Sequence, residues 1–306
     1  MHSHAPKPTA SLLRWSVWAT LLFVAVEVAA GLHAGSLALL SDAGHNFTDA
    51  LALILAWIAN YLESKPADET KTYGYQRAGV LSAFVNALTL AALAAWILYA
   101  SISRLRQPEP VRQDIMIAVA GLGVLVNVGI MWALRSAQRE DLNVRSAFIH
   151  MLGDALGSIA IIIGGVVIAY TGWLQVDPVL SMLIAGLIVW TAWDIIRESL
   201  NILLEGLPRG LTLRDVIGSM REVDGVLDVH DLHIWSLGSS THALSCHVLI
   251  EDVPPSASDA VLRRLNGMLA DRFHISHTTV QFEHASCGVS ANGCVIPAGP
   301  DRCHRH

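Results

Sequence analysis

Charged residues are scarce in this sequence, and no cysteine occurs before residue 246. Only 15% of the 306 residues are charged and 53% are hydrophobic, and the mean hydropathy of +0.47 is too high for an ordinary soluble protein. The formal net charge of −6 argues against nucleic acid as a partner. The cysteines form neither a CxxC pair nor the close framework of a secreted domain, so we expect reduced thiols: Cys246, Cys287, Cys294 and Cys303.

The hydrophobic residues are concentrated before residue 206, in six segments that are long enough to cross a bilayer. A membrane-spanning helix needs about 20 mostly apolar residues, and the segments are about 12–32, 36–62, 78–103, 113–135, 144–171 and 178–203. Asp177 is predicted to cap the sixth helix, with Pro178 in its first turn. We find no convincing signal peptide, and six spans place both termini on one side of the membrane. The Lys and Arg residues of the second and fourth loops predict that this side is the cytosol, although the third loop, with Arg104, Arg106 and Arg112, departs from the pattern.

After the spans, the chain alternates helix and strand patterns like a small soluble domain. Residues 212–223 and 256–273 have helical patterns, the second with Ser256 or Ser258 as its cap. Three strand patterns accompany these helices, so we predict an α-β-β-α-β domain with an open sheet and helices on one face. The predicted division of the chain is a cytosolic segment 1–11, a six-span membrane domain 12–206, a cytosolic domain 207–284 and a flexible tail 285–306 that contains Cys and His.

Two nearly matching stretches place histidine and aspartate inside apolar spans. Residues 45–51 read HNFTDAL, and residues 150–156 read HMLGDAL. Residues four apart share one face of a helix, so each stretch presents one imidazole and one carboxylate in the same direction. If the two faces pack together, His45, Asp49, His150 and Asp154 form a ligand set that suits tetrahedral Zn²⁺. Because ionisable groups inside a membrane are costly and usually functional, a metal site is favoured over a structural hydrogen-bonded network.

The charges of these four residues also suggest a mechanism. Zn²⁺ with two aspartates and two neutral imidazoles sums to zero charge, and so do two aspartates with two imidazolium rings when the metal has left. The site therefore exchanges one Zn²⁺ for two protons without leaving a net charge in a medium of low dielectric constant. Histidine titrates near neutral pH, and metal binding displaces protons from its ligands. We therefore hypothesise metal/proton antiport; a fixed count other than two protons would contradict this balance.

Two other acidic residues lie near these positions in the apolar segments. Asp42 precedes His45 by three residues on the same helical face, so it is predicted either to orient that imidazole or to lie near the aqueous mouth of a transport path. Glu27 in the first span is expected to form interhelical hydrogen bonds.

Longer stretches resemble the cation diffusion facilitator family, in its zinc-type branch. They are GLHAGSLALLSDAGHNFTDALAL, TYGYQRAGVLSAFVNAL, HMLGDALGS and DGVLDVHDLHIWSL, and the resemblance extends from about residue 12 to residue 284. It implies a homodimer of six-span subunits, each with a ferredoxin-like cytosolic domain, that exports divalent cations in exchange for protons. It also implies that the two HxxxD pairs form the transport site, and that histidine in the first position, here His45, accompanies zinc.

The same resemblance implies a second zinc site, of regulatory type, in the cytosolic domain at the dimer interface. Matching the motifs gives His230, His247 and Glu283 as ligands, with His233 and His277 as alternatives. The second loop has no histidine, and Gln76 stands where some relatives have one, so a metal-collecting loop is not expected. The chain ends contain further candidate ligands, for which a disordered tail with incidental Cys and His is the favoured interpretation: His2, His4, Cys287, Cys294, Cys303, His304 and His306.

Three other functions are compatible with a zinc ligand set in a membrane. An intramembrane metalloenzyme usually keeps an open position for water on its zinc and often has an HExxH helix, which this sequence lacks. A membrane-anchored sensor needs only one or two spans, and a channel binds its ion more weakly than a tetrahedral cage. Transport by alternating access is therefore preferred, with Co²⁺ or Cd²⁺ as alternative substrates. The short chain favours a bacterial inner membrane.

Overall fold

The computed structural model describes residues 8–135, 142–238 and 241–284. Six long helices come first in the chain: α1 (Pro8–Ala34), α2 (Leu37–Glu63), α3 (Ala78–Arg106), α4 (Gln113–Leu134), α5 (Leu142–Thr171) and α6 (Val176–Leu203). By length and composition, α3, α4, α6 and the segment Phe148–Thr171 of α5 are suited to cross a membrane. The helical membrane architecture is therefore confirmed, while membrane crossing by α1 and α2 stays a prediction.

The chain forms two compact units, one comprising Met1–Ile58 and Ser82–Ile196 and the other Ala59–Leu81 and Arg197–His306. In the first unit, α4 packs along α5 and also contacts α1. Glycine permits these close contacts, because a Cβ atom on Gly165 would lie 2.7 Å from Ile117 Cγ1. Large apolar side chains such as Leu125, Leu183 and Trp190 point outward from the helices, as expected of a surface that faces lipid. The predicted division of the chain into four segments stays a prediction.

The Asp177 carboxylate caps α2, although the sequence predicts a cap for α6. The α6 helix begins at Val176, so Asp177 lies inside its first turn instead of before it. The Asp177 side chain is fully buried. Its Oδ2 accepts from the backbone N–H of Leu37 at 2.9 Å, and its Oδ1 accepts from Ala38 N at 3.2 Å and from Ser36 Oγ at 2.5 Å. The predicted role was wrong because a short acidic side chain satisfies whichever free N–H groups lie closest, and here they belong to a neighbouring helix.

The second unit contains the predicted α-β-β-α-β domain. Its elements are α7 (Leu213–Arg221), β1 (Val226–Ser236), β2 (His242–Ile250), α8 (Pro255–Phe273) and β3 (Ile275–Glu283). The sheet has the order β1-β2-β3, with β1 antiparallel and β3 parallel to β2. Both helices contribute to one core, with Val216 and Met220 from α7 and Leu265 from α8. The order of elements is therefore confirmed.

The two helices of this domain begin differently. Thr212 caps α7, because its Oγ1 accepts from the backbone N–H of Asp215 at 3.1 Å. The predicted serine cap of α8 is wrong: Pro254 occupies the cap position, and Pro255 opens the helix without a side-chain cap. Proline is favoured there because the first helical turn does not need its missing N–H.

One irregularity in the sheet places a side chain near a predicted ligand cluster. His230 pairs with His247 and His233 pairs with Ser245, so β1 has one more residue than β2 between these pairs. Asp231 lies in this bulge with a φ of 51°, in the left-handed region. A bulge changes the direction of the side chains around it, and this one turns Asp231 toward the histidines.

Candidate metal centres

The first candidate centre lies between α2 and α5, where the two HxxxD pairs face each other. Across the helices, His150 Nε2 lies 3.2 Å from Asp49 Oδ2, and His45 Nε2 lies 3.7 Å from Asp154 Oδ1. Within the helices, His45 Nε2 lies 3.6 Å from Asp49 Oδ2, and His150 Nε2 lies 3.7 Å from Asp154 Oδ2. The structure thus brings all four predicted residues together.

These separations fit the donor set of a tetrahedral zinc site. Zn–N and Zn–O bonds of about 2.0–2.2 Å place neighbouring ligand atoms about 3.3 Å apart. His45, Asp49 and His150 each offer a ligand atom within 4.8 Å of the other two. Asp154 is not a member of this group of three, but it lies beside both imidazoles, 3.7 Å from each through different carboxylate oxygens, and is the most buried of the four residues.

Asp42 adopts neither of its predicted roles. The Nδ1 atom of His45 is buried and has no hydrogen-bond partner among the described residues, so Asp42 does not orient that ring. Asp42 is itself only 5% exposed, so it does not lie at an aqueous mouth. Its Oδ2 instead accepts a hydrogen bond of 3.4 Å from Ser158 Oγ of α5.

A second polar contact lies in the same unit. Glu27 of α1 is fully buried, and its Oε2 accepts a 2.9 Å hydrogen bond from Asn46 Nδ2 of α2, which confirms the predicted interhelical bond. We refer to Glu27, Asp42, Asn46 and Ser158 as the Glu27 cluster. Asn46 and Ser158 are not among the predicted site residues, because a single small polar residue in an apolar helix carries no distinctive pattern.

The second candidate centre lies on the three-stranded sheet. His230 on β1, His247 on β2 and Glu283 on β3 each offer a ligand atom within 4.8 Å of the others. His247 Nδ1 lies 2.9 Å from Glu283 Oε1, and His230 Nε2 lies 3.2 Å from Glu283 Oε2. These last two atoms are buried and make no hydrogen bond in the described part of the chain. Two buried atoms that can ligate a metal and lie this close together without hydrogen bonds suit a shared cation.

The alternative ligands of the cytosolic domain lie in different places. His233 Nε2 is 3.0 Å from Asp231 Oδ1, and the other oxygen of Asp231 is 3.8 Å from His247 Nε2. His277 packs its ring against Tyr73, with the centroids 5.2 Å apart, and is not in the group. Asp231 is not among the predicted ligands, because only the bulge in β1 turns it toward them.

Cys246, the one cysteine among the described residues, is not part of either centre. Cys246 is buried in the core of the domain. Burial, together with the negative charge of Asp231, raises the pKa of its thiol to about 12. The thiol is therefore protonated at neutral pH and is a poor metal ligand. The other predicted candidates lie outside the described residues: His2, His4, Cys287, Cys294, Cys303, His304 and His306.

Two family models match this chain. Residues 13–204 match the model described as the cation efflux transmembrane domain, and residues 208–285 match the one described as the cation efflux protein cytoplasmic domain. Together they include every residue of both candidate centres.

Full-length relatives are similar along almost the whole chain. The zinc transporter ZitB of Escherichia coli is 39% identical over 93% of this chain and 91% of its own length. The metal cation efflux system protein CzcD of Cupriavidus metallidurans is 39% identical over 94% and 90%. A cadmium, cobalt and zinc/H⁺-K⁺ antiporter of Bacillus subtilis is 34% identical over 92% and 91%. The metal-bound C-terminal domain of a CzcD transporter shares 40% identity over 24% of this chain and 99% of that one, with a TM-score of 0.22.

Proposed function

The chain belongs to the cation efflux family, and we propose that it exports Zn²⁺ across a membrane in exchange for protons. The observation that carries this proposal is the convergence of two imidazoles and two carboxylates between α2 and α5, with His150 Nε2 only 3.2 Å from Asp49 Oδ2. Of the relatives described above, one is named a zinc transporter, one a metal cation efflux protein, and one an antiporter of cadmium, cobalt and zinc with H⁺ and K⁺.

The proposed cycle follows from the charges of the four ligands. Zn²⁺ enters from the cytosol and binds His45, Asp49, His150 and Asp154, and the two imidazoles lose their protons as it binds. The loaded site is neutral, so α2 and α5 rearrange and open it to the opposite side without moving a net charge through the low-dielectric interior. Protons then displace the metal and return with the empty site.

Zinc is the preferred substrate because of the ligand types. Mixed imidazole and carboxylate ligands in a tetrahedron suit Zn²⁺, whereas ions such as Mg²⁺ and Ca²⁺ prefer six or more oxygen atoms. Co²⁺ and Cd²⁺ are alternative substrates, in agreement with the names of relatives. A metalloenzyme is the rival from another class, but four protein ligands leave no position for a catalytic water.

The cytosolic domain is proposed to bind zinc and to form a homodimer. His230, His247 and Glu283 supply three ligands, and a residue of the second subunit or a water completes the tetrahedron. Asp231 lies against both His233 and His247 and holds their rings in place. We place the dimer in a bacterial inner membrane with both termini in the cytosol, as the distribution of Lys and Arg favours.

The decisive experiment is zinc uptake into proteoliposomes under an imposed pH gradient. The intact protein is compared with Asp49→Ala and His150→Ala, and His33→Ala is the matched control, because His33 contacts Arg112 instead of the ligands. We expect uptake that requires the gradient in the intact protein and the control, and a loss on the order of 100-fold or more in both ligand variants. Normal uptake by the ligand variants would refute the proposed transport site.

A further inference from the structure

The Glu27 cluster holds two carboxyl groups that the transport site does not use. Glu27 is fully buried and Asp42 is 5% exposed. Glu27 Oε2 accepts a hydrogen bond from Asn46, while its Oε1 is buried without a hydrogen-bond partner among the described residues. Buried carboxyl oxygens normally have partners, so this atom needs an explanation.

Among the described residues, no Lys or Arg side chain compensates the charge of Glu27 or Asp42. The α2 helix contributes Asp42 and the imidazole of His45, and α5 contributes the carboxyl group of Asp154. The α4 helix has one ionisable residue, Asp114, which lies in its first turn. Within the described part of the chain, neither Glu27 nor Asp42 forms an ion pair with a Lys or Arg side chain.

The packing around the cluster also leaves little room for water. Gly123 of α4 lies so close to α1 and α5 that an added Cβ atom would be 2.8 Å from Phe23 Cζ and 3.0 Å from Ser158 Oγ. Ser158 is buried and donates to Asp42. Two neighbouring carboxylates in such surroundings are costly to ionise together, because the close packing leaves little room for water and no Lys or Arg side chain of the described residues pairs with either.

We propose that Glu27 holds a proton, which it shares with Asp42, and that this pair is a proton-binding site separate from the four metal ligands. The proposal rests on the proposed transport function. A protonated Glu27 donates from one oxygen to Asp42 and accepts from Asn46 with the other. The pair then carries one negative charge instead of two.

The position of the pair links it to the metal site. Asp42 and Asn46 lie on α2, which also carries His45 and Asp49, so a movement of α2 relative to α1 changes both sites. When such a movement opens Glu27 to water, its carboxyl group has the ordinary properties of a glutamate and is ionised at neutral pH. Acid therefore favours the sealed arrangement seen here, and alkali favours the open one.

Infrared spectroscopy of the full-length protein in lipid nanodiscs tests the proposal directly. At pH 7 we expect the carbonyl band of a protonated, water-excluded carboxylic acid, which is lost in Glu27→Gln and retained in Glu27→Asp. Glutamine keeps the shape and the acceptor for Asn46 but does not titrate. An identical carboxylic acid band in the intact protein and in Glu27→Gln overturns the proposal.

A transport measurement provides a readout that a purely structural role would not alter. Glu27→Gln should bind zinc as the intact protein does, within about threefold by calorimetry, so failure of zinc binding in the intact protein would count against the metal site and not against Glu27. In proteoliposomes, Glu27→Gln should keep the two protons per zinc that the four ligands exchange but show a flatter pH profile, because the Glu27 proton returns to the same side of the membrane. A pH profile equal to that of the intact protein overturns the proposal.

Discussion

His150 Nε2 of α5 lies 3.2 Å from Asp49 Oδ2 of α2, so one carboxylate oxygen connects the two halves of the transmembrane ligand set. The same oxygen lies 3.6 Å from His45 Nε2. Asp49 therefore contacts an imidazole from each helix, and a divalent cation bound there would hold α2 and α5 together. Loss of the cation would leave the helices free to separate unless protons took its place on the two imidazoles.

The metal preference of this site should depend on His45. In the variant His45→Asp, the ligand set has three carboxylates and one imidazole. This set is chemically harder and more negatively charged than the natural set of two carboxylates and two imidazoles. Hard ions such as Mn²⁺ prefer oxygen ligands, so we expect the ratio of Mn²⁺ to Zn²⁺ transport to rise. Uptake of the two ions into proteoliposomes, measured in competition, checks this. A ratio that does not change would indicate that His45 is not a ligand.

Asp177 should contribute to the stability of the membrane unit through α2. Asp177→Ala removes the acceptor for Leu37 N, Ala38 N and Ser36 Oγ, and loss of a helix cap costs about 1–2 kcal/mol. We expect the melting temperature in detergent to fall by roughly 2–8 °C. The control Asp177→Asn keeps one oxygen acceptor and should lose less. Equal melting temperatures for all three proteins would contradict the capping role.

The convergence of the four proposed metal ligands could be predicted from the sequence, whereas the contacts of several of their neighbours could not. His45, Asp49, His150 and Asp154 follow a helical spacing, so the pattern alone places each pair on one face. The polar contacts near these four residues depend on how the helices approach each other. Ser158 meets Asp42, and Asn46 meets Glu27, but no local pattern distinguishes these from other polar residues in apolar helices.

The cytosolic domain provides a similar contrast. The order of its helices and strands follows from the alternation of apolar residues, because a period of two or of 3.6 is local information. The bulge in β1 that turns Asp231 toward His233 and His247 depends on the pairing with β2, which the sequence of one strand does not reveal. The cap of α8 differs for a related reason, since proline at the first helical position outweighs a nearby serine.

Asp231 should tune the zinc affinity of the cytosolic centre. Its two oxygens contact His233 and His247 at 3.0 Å and 3.8 Å, and removal of a residue that orients a ligand typically weakens metal binding about 10- to 100-fold. We expect a loss in this range for Asp231→Asn, measured by competition with a zinc chelator in a protein whose transmembrane ligands are replaced. The matched control is His277→Ala, because His277 packs against Tyr73. A similar loss in both variants would argue against a specific role for Asp231.

Cys246 should be unreactive in the folded protein and should make the cytosolic domain sensitive to alkali. Its folded pKa of about 12 exceeds the ordinary value of 9.0, so between these pH values the unfolded chain loses a proton that the folded chain keeps. The contribution of the protonated Cys246 thiol to the free energy of unfolding is therefore fully present below pH 9 and is lost as the pH rises toward 12.

The measurement uses a full-length variant in which Cys287, Cys294 and Cys303 are replaced by serine, so that Cys246 is the one thiol left in the chain. At pH 8 we expect slow reaction with a thiol reagent in the folded protein and rapid reaction in denaturant, because the thiolate is the reactive form. Chemical unfolding monitored by the cytosolic domain should show a lower midpoint at pH 10.5 than at pH 8.5, and Cys246→Ala should reduce that difference. Rapid labelling of the folded protein at pH 8 would mean that the thiol is neither buried nor kept in its protonated form.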